Sequence, residues 1–112
     1  MDALYDLLTK VYEKPGLIIG QKSLTILSHF LNGYYWGVAD CKEIHPETTI
    51  MIMHDLWFEF EEFVYMYYGY KITSMSSTGI ICKNTTSEEE AFDKYFELLN
   101  AFLKQKGYSF LD

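Results

Sequence analysis

The sequence predicts a small all-α domain, a bundle of about four main helices with an irregular segment before the last. Three observations predict it. Apolar residues recur at three-and-four spacing in four separate stretches. Each stretch runs out at or near a glycine, where helices commonly stop. No repeat, low-complexity linker or composition break interrupts the 112 residues, so 1–112 reads as one domain. The alternative is an α+β fold with a small sheet, using Thr48 to Met53 and Ile72 to Cys82 as strands.

The first helix is predicted over Ala3 to Lys14, where Leu4, Leu7, Leu8, Val11 and Tyr12 share one face. Asp2 is its expected N-cap, and Pro15-Gly16 ends it. The following Leu17-Ile18-Ile19-Gly20 is expected to be a buried turn or a short extended piece. A second helix is expected from about Gln21 to Trp36, with Leu24, Leu27, Phe30, Leu31 and Tyr34 as its stripe and Gly37 closing it. Gly33 inside it costs about 1 kcal/mol relative to alanine, which points to close packing there or an early end.

Asp40 to His45 reads as a polar connection, and Pro46 suits a first helical position. In the third helix Met53, Leu56, Trp57, Phe60, Phe63, Val64 and Tyr67 recur on the face expected to be buried, and Gly69 closes the run. The β-branched residues from Thr48 onward allow a strand there, but continued helix is the favoured reading. Lys71 to Thr86 shows only one apolar knot, Gly79-Ile80-Ile81-Cys82, and fits a strand, a short helix or an ordered loop. The last helix has the strongest signals. Ser87 and Glu90 form a capping box, acids crowd its first turn, and Lys104 and Lys106 sit near its end. Its stripe is Phe92, Tyr95, Phe96, Leu99, Phe102 and Leu103, and Gly107 stops it.

Composition narrows the function. The chain is 49% hydrophobic and 18% aromatic, with ten Tyr, eight Phe and two Trp. So many phenols cannot all be buried with partners, so some rings should lie at the surface, where tyrosine favours interfaces. The net charge is −7 and every basic residue is a lysine. Without the planar guanidinium fork, and with a surface that repels polyanions, nucleic-acid binding is disfavoured and a basic partner is expected. No stretch is apolar enough to span a membrane. The opening Met1-Asp2-Ala3 lacks a secretory pattern. The expectation is therefore a cytoplasmic protein whose Cys41 and Cys82 are reduced and whose Asn84-Thr85-Thr86 is not glycosylated.

Catalytic constellations are weak. His54-Asp55 resembles the adjacent pair of metal-dependent phosphohydrolases, but only His29 and His45 remain as further histidines. Cys41, His45 and His54 fall short of a four-ligand zinc site. Glu61-Glu62 and Glu88-Glu89-Glu90 read as a solvated face and a helix start. The chain carries no phosphate-cradling glycine loop and no nucleophile elbow. The sequence therefore predicts no catalytic residue, no metal ligand and no cofactor, and the chain is not expected to be an enzyme.

One feature stands out. Between Asp40 and Tyr70 seven acids face Lys42 alone, a net of −6, which is nearly the whole charge of the chain. On the third helix Asp55, Glu59 and Glu62 form one stripe. His54, Phe58, Glu61, Tyr65 and Tyr68 form the next, beside the buried face. Acids interleaved with large rings suit a basic partner, because charge speeds encounter and rings supply buried anchors. Asp55, Phe58, Glu59, Glu61, Glu62, Tyr65 and Tyr68 are the predicted partner-binding residues.

Two stretches also carry a family resemblance. Lys14-Pro15-Gly16-Leu17-Ile18-Ile19-Gly20 with Lys22-Ser23-Leu24-Thr25, followed by Phe30-Leu31-Asn32-Gly33-Tyr34, is one. The helix Glu90-Ala91-Phe92-Asp93-Lys94-Tyr95-Phe96-Glu97-Leu98-Leu99 is the other. Together they cover about a third of the chain, and they resemble bacterial immunity proteins of polymorphic toxin and contact-dependent growth inhibition systems. The resemblance implies a cytoplasmic inhibitor of a cognate toxin domain, often a nuclease with a basic cleft. It supplies no functional residue. The competing expectations are a structural or adaptor homodimer and, more remotely, a metal-dependent hydrolase around His54-Asp55.

Overall fold

The amphipathic stripes of the sequence become helices α1 (Ala3–Glu13), α2 (Pro15–Ile18), α3 (Leu24–Cys41), α4 (Ile50–Tyr68), α5 (Ser77–Lys83) and α6 (Glu88–Gln105). This computed structural model describes residues 3–41, 50–71 and 74–111, with side chains at 5–37, 56–71 and 74–111. The fold is all-α, and no strand occurs among the described residues. Four helices are long, and the irregular segment before α6 contains the seven-residue α5. The strand alternative is overturned over 50–53 and 77–82, which are helical. Asp2, Pro46, His45, Thr48 and Ile72, all given roles above, lie outside the described residues. No helix among the described residues is long and apolar enough to cross a membrane.

Helix α6 is the hub because its apolar stripe is the widest. It buries Ala91, Phe92, Tyr95, Phe96, Leu98, Leu99, Phe102 and Leu103, including the whole stripe read from the sequence. Leu24, Leu27 and Leu31 of α3, Phe60 and Val64 of α4, Leu8 and Val11 of α1 and Ile81 of α5 complete the core around it. Rings knit the α4–α6 seam. Phe60 meets Tyr95 and Phe102 with ring centroids 5.5 Å apart in each case. Phe63 meets Phe102 at 5.6 Å. Helix α1 closes the far side, with Tyr12 against Phe96 at 5.2 Å and Tyr5 against Phe110 at 5.1 Å. The tail is tied back where the Leu111 N–H donates to Asn100 Oδ1 at 3.1 Å.

Several boundaries differ from the sequence reading. Pro15 to Ile18 is a single helical turn and not an extended piece, because Pro15 fixes a helical φ at its start. Leu17 on it is 77% exposed, not buried. Helix α3 starts at Leu24, three residues after the expected Gln21, because Ser23 caps it: the Ile26 N–H donates to Ser23 Oγ at 3.2 Å. The same helix passes through Gly33 and Gly37 and ends at Cys41. A Cβ at either glycine would meet nothing within 4 Å, so neither marks a close approach. By contrast Gly69 and Gly107, at φ +78° and +88°, do stop α4 and α6. Only glycine adopts that backbone without strain.

Helix α6 opens as expected, with the Glu90 N–H donating to Ser87 Oγ at 3.1 Å. The return arm of the box lands one residue earlier. The Glu90 carboxylate accepts from the N–H of Thr86 at 3.0 Å and from its hydroxyl. Cys82 is a free, half-buried thiol, whose pKa is raised chiefly by desolvation.

Candidate interaction surface

A helix that gives one face to a core presents the opposite face at every fourth residue, and α4 does so through Phe58, Glu62 and Met66. Phe58 is 61% and Met66 80% exposed, and Glu62 stands between them, exposed and unpaired among the described residues. Isolated exposed apolar side chains are ordinary on a protein surface. Two large ones a fixed two turns apart with a carboxylate between them form a ridge.

The other predicted residues divide between this ridge and the interior. Glu59 borders the ridge and pairs with Lys106, the residue that caps the end of α6, at 3.0 Å, with both side chains partly exposed. Tyr65 is half-buried, and its hydroxyl donates to Glu61 Oε2 at 3.3 Å. Burial first, and then the charge of Glu61, raise the phenol's pKa. Tyr68 is half-buried and packs on the core with its ring 4.8 Å from that of Tyr67. Burial again leads in raising its pKa, partly opposed by Lys94. Asp55 and His54 lie on α4, with side chains outside the described set. The side chain of Cys41 is outside it as well, as is all of His45. Among the described residues no group of three His, Cys, Asp or Glu side chains could hold a metal ion.

Glu61 faces away from the ridge. Its carboxylate accepts the Ser77 N–H at 3.0 Å and the Ser77 hydroxyl at 2.6 Å. Ser77 is the first residue of α5, and Ser76 Oγ accepts the Gly79 N–H at 3.1 Å. The two acceptors together serve two of the free donors of that helix start. Glu61 thus docks α5 onto α4.

Two surface features escaped the sequence reading. Tyr67, expected on the buried face, is 52% exposed. Lys94 of α6 reaches it, donating to the Tyr67 hydroxyl at 2.8 Å with Nζ 4.9 Å from the ring centroid. Glu97 first and then Tyr67 hold this ammonium's pKa above the ordinary lysine range. Lys94 of α6 and Lys106, which caps that helix, therefore both reach residues of α4 and soften the local charge excess, which no count along α4 alone reveals. Met66 did carry a signal, since it continues the four-residue step from Phe58 and Glu62. On α3, Trp36 is 68% exposed, with its ring 5.9 Å from that of Tyr35.

Comparison with protein-family models, with curated proteins and with solved structures finds no match to this chain.

Proposed function

We propose that this protein is an immunity protein that binds and neutralises a cognate toxin domain of basic surface, a nuclease in the leading case, through the outer ridge of α4. The observation that carries this reading is the Phe58–Glu62–Met66 ridge, in which exposed apolar anchors flank a carboxylate that is unpaired among the described residues. Apolar anchors supply burial, while the −7 net charge steers a cationic partner toward the complex. The resemblance of the Lys14–Tyr34 and Glu90–Leu99 stretches to immunity proteins supplies the class of partner. On this reading the protein acts in the bacterial cytoplasm, by binding and not by catalysis.

The test is co-expression with the C-terminal domain of a large secreted protein encoded next to this gene. Rescue of growth, and a complex that survives gel filtration, are the expected results. A neighbouring toxin domain that kills equally well with and without this protein overturns the reading. A second reading, an adaptor homodimer, is favoured by the exposed Trp36 and Tyr35 on α3. Sedimentation of the pure protein separates the two, since a dimer persisting at micromolar dilution and lost on Trp36→Ala supports the second.

A further inference from the structure

Helices α3, α4, α5 and α6 line a cavity of about 210 Å³ that is partly open to solvent. Its apolar lining includes Leu27 and Leu31 of α3 and Trp57 of α4. Its polar lining includes Asn32 of α3, Glu61 of α4 and Tyr95 of α6. Two of these groups are incompletely satisfied. Tyr95 is 2% exposed, and its buried hydroxyl has no hydrogen-bond partner among the described residues. Native interiors rarely leave such a group alone. Glu61 accepts only from the neutral donors of Ser77 and Tyr65, and no lysine among the described residues pairs with it. Among the described residues its negative charge is therefore hydrogen-bonded but not neutralised.

The chemistry of these groups selects a ligand class. An anion is repelled by Glu61. A hydrocarbon leaves the Tyr95 oxygen without a partner and the Glu61 charge unbalanced. Water can serve the phenol but brings no charge. Burial, and after it the nearby Glu61, keep Tyr95 protonated, so its oxygen retains lone pairs for a donor. An ammonium group has three donors and no acceptor, and an indole face attracts a cation. We propose that this cavity binds an alkylammonium group, whose N–H donors meet the Glu61 carboxylate and the Tyr95 oxygen beside Trp57 while its short hydrocarbon stem lies on Leu27 and Leu31. The group can arrive as a free aliphatic amine or as a lysine side chain of a protein. The site is separate from the α4 ridge and does not depend on it.

The experiment is an NMR titration of the full chain with n-butylammonium chloride, set beside n-butanol and sodium chloride. A lysine-containing tetrapeptide forms a second arm. The expected result is saturable shifts of the Trp57 indole and the Leu27 and Leu31 methyls, with Kd of about 1–10 mM. Neither control reproduces them, and Tyr95→Phe, which removes one oxygen and keeps the ring, weakens binding about fivefold or more. Tighter binding of the peptide than of the amine identifies a protein side chain as the source, and the reverse identifies a small amine. Shifts that fail to saturate by about 50 mM, equal shifts with n-butanol, or unchanged binding in Tyr95→Phe overturn the proposal. Such a failure leaves the ridge reading intact, because Phe58, Glu62 and Met66 do not line the cavity.

Discussion

Glu88, in the first turn of α6, holds Thr25, in the first turn of α3, across 63 positions of sequence: one carboxylate oxygen accepts the Thr25 N–H and the other its hydroxyl, both at 2.9 Å. The Ser23 hydroxyl adds a third bond to Glu88 at 2.8 Å while its oxygen caps Ile26. One carboxylate thus ties two helix starts together, and each start gains from negative charge at its positive end. Glu88→Ala is expected to lower unfolding stability by about 1–2 kcal/mol, the scale of a lost cap with a second bond, measured by urea unfolding. An unchanged midpoint would show that water replaces the clamp without loss.

The same contact carries a pH dependence with a definite sign. The Thr25 N–H, then the Ser23 hydroxyl, lower the Glu88 pKa below its ordinary 4.5. The contribution is therefore fully present above about pH 4.5 and is lost as pH falls through the lower folded-state value. Glu90, bonded to the hydroxyl and N–H of Thr86, shifts in the same direction. Thermal melts of wild type and Glu88→Gln are expected to converge as the solution is acidified below that window. A gap between them that stays constant down to pH 2 refutes the linkage.

Glu61 and Ser77 make the corresponding joint between α4 and α5, and it is testable by a double-mutant cycle. Each single change, Glu61→Gln or Ser77→Ala, is expected to cost about 1–3 kcal/mol, because the partner is left half-satisfied in a part-buried site. The pair together should cost less than the sum, with a coupling of about 1 kcal/mol. Hydrogen exchange should rise selectively at Ile80 and Ile81, whose N–H groups depend on α5 staying docked. Strict additivity would show that the two residues act independently.

Gly33 and Gly37 lie within α3, have ordinary negative φ, and would meet nothing with an added Cβ. Gly33→Ala and Gly37→Ala are each expected to stabilise the fold by about 0.5–1 kcal/mol through helix propensity. Gly107→Ala, at φ +88°, should destabilise by a similar amount. Three melting curves decide the matter, and a loss of stability at Gly33 would mean that its surface is occupied.

These residues also show what the sequence made legible. Periodicity located the cores of α1, α3, α4 and α6, since burial of a stripe is written in three-and-four spacing. It failed at Gly33 and Gly37, because a glycine stops a helix only where φ turns positive, and that depends on the chain beyond it. Helix α5 is too short to display a period. Glu61 looked like its exposed neighbour Glu62 because the donors it serves belong to another helix, and Glu88 looked like a simple first-turn acid for the same reason. The ridge of α4 was half-legible. Phe58 and Glu62 were expected outside the buried face but on separate stripes, whereas Tyr67 was assigned to the core and Lys94 and Lys106 came from a distant segment.

Those lysines shape the last prediction, which concerns the ridge. Glu59 is engaged by Lys106 in a partly exposed pair, worth well under about 1 kcal/mol to the fold. Glu62 has no such partner among the described residues, so its charge is the more available to an incoming protein. Glu62→Lys is expected to slow association with a basic partner and reduce its salt dependence, while Phe58→Ala and Met66→Ala act mainly on dissociation, by about tenfold or more for a central anchor. All three positions are exposed, so the melting temperature should hardly move, with changes within about 0.5 kcal/mol. Glu61→Gln should instead lower stability without a selective effect on association rate, because its carboxylate serves Ser77. Surface plasmon resonance at two salt concentrations, read beside thermal melts of the same variants, separates the two behaviours. If Glu62→Lys associates as fast as wild type at low salt, the ridge is not where the partner lands.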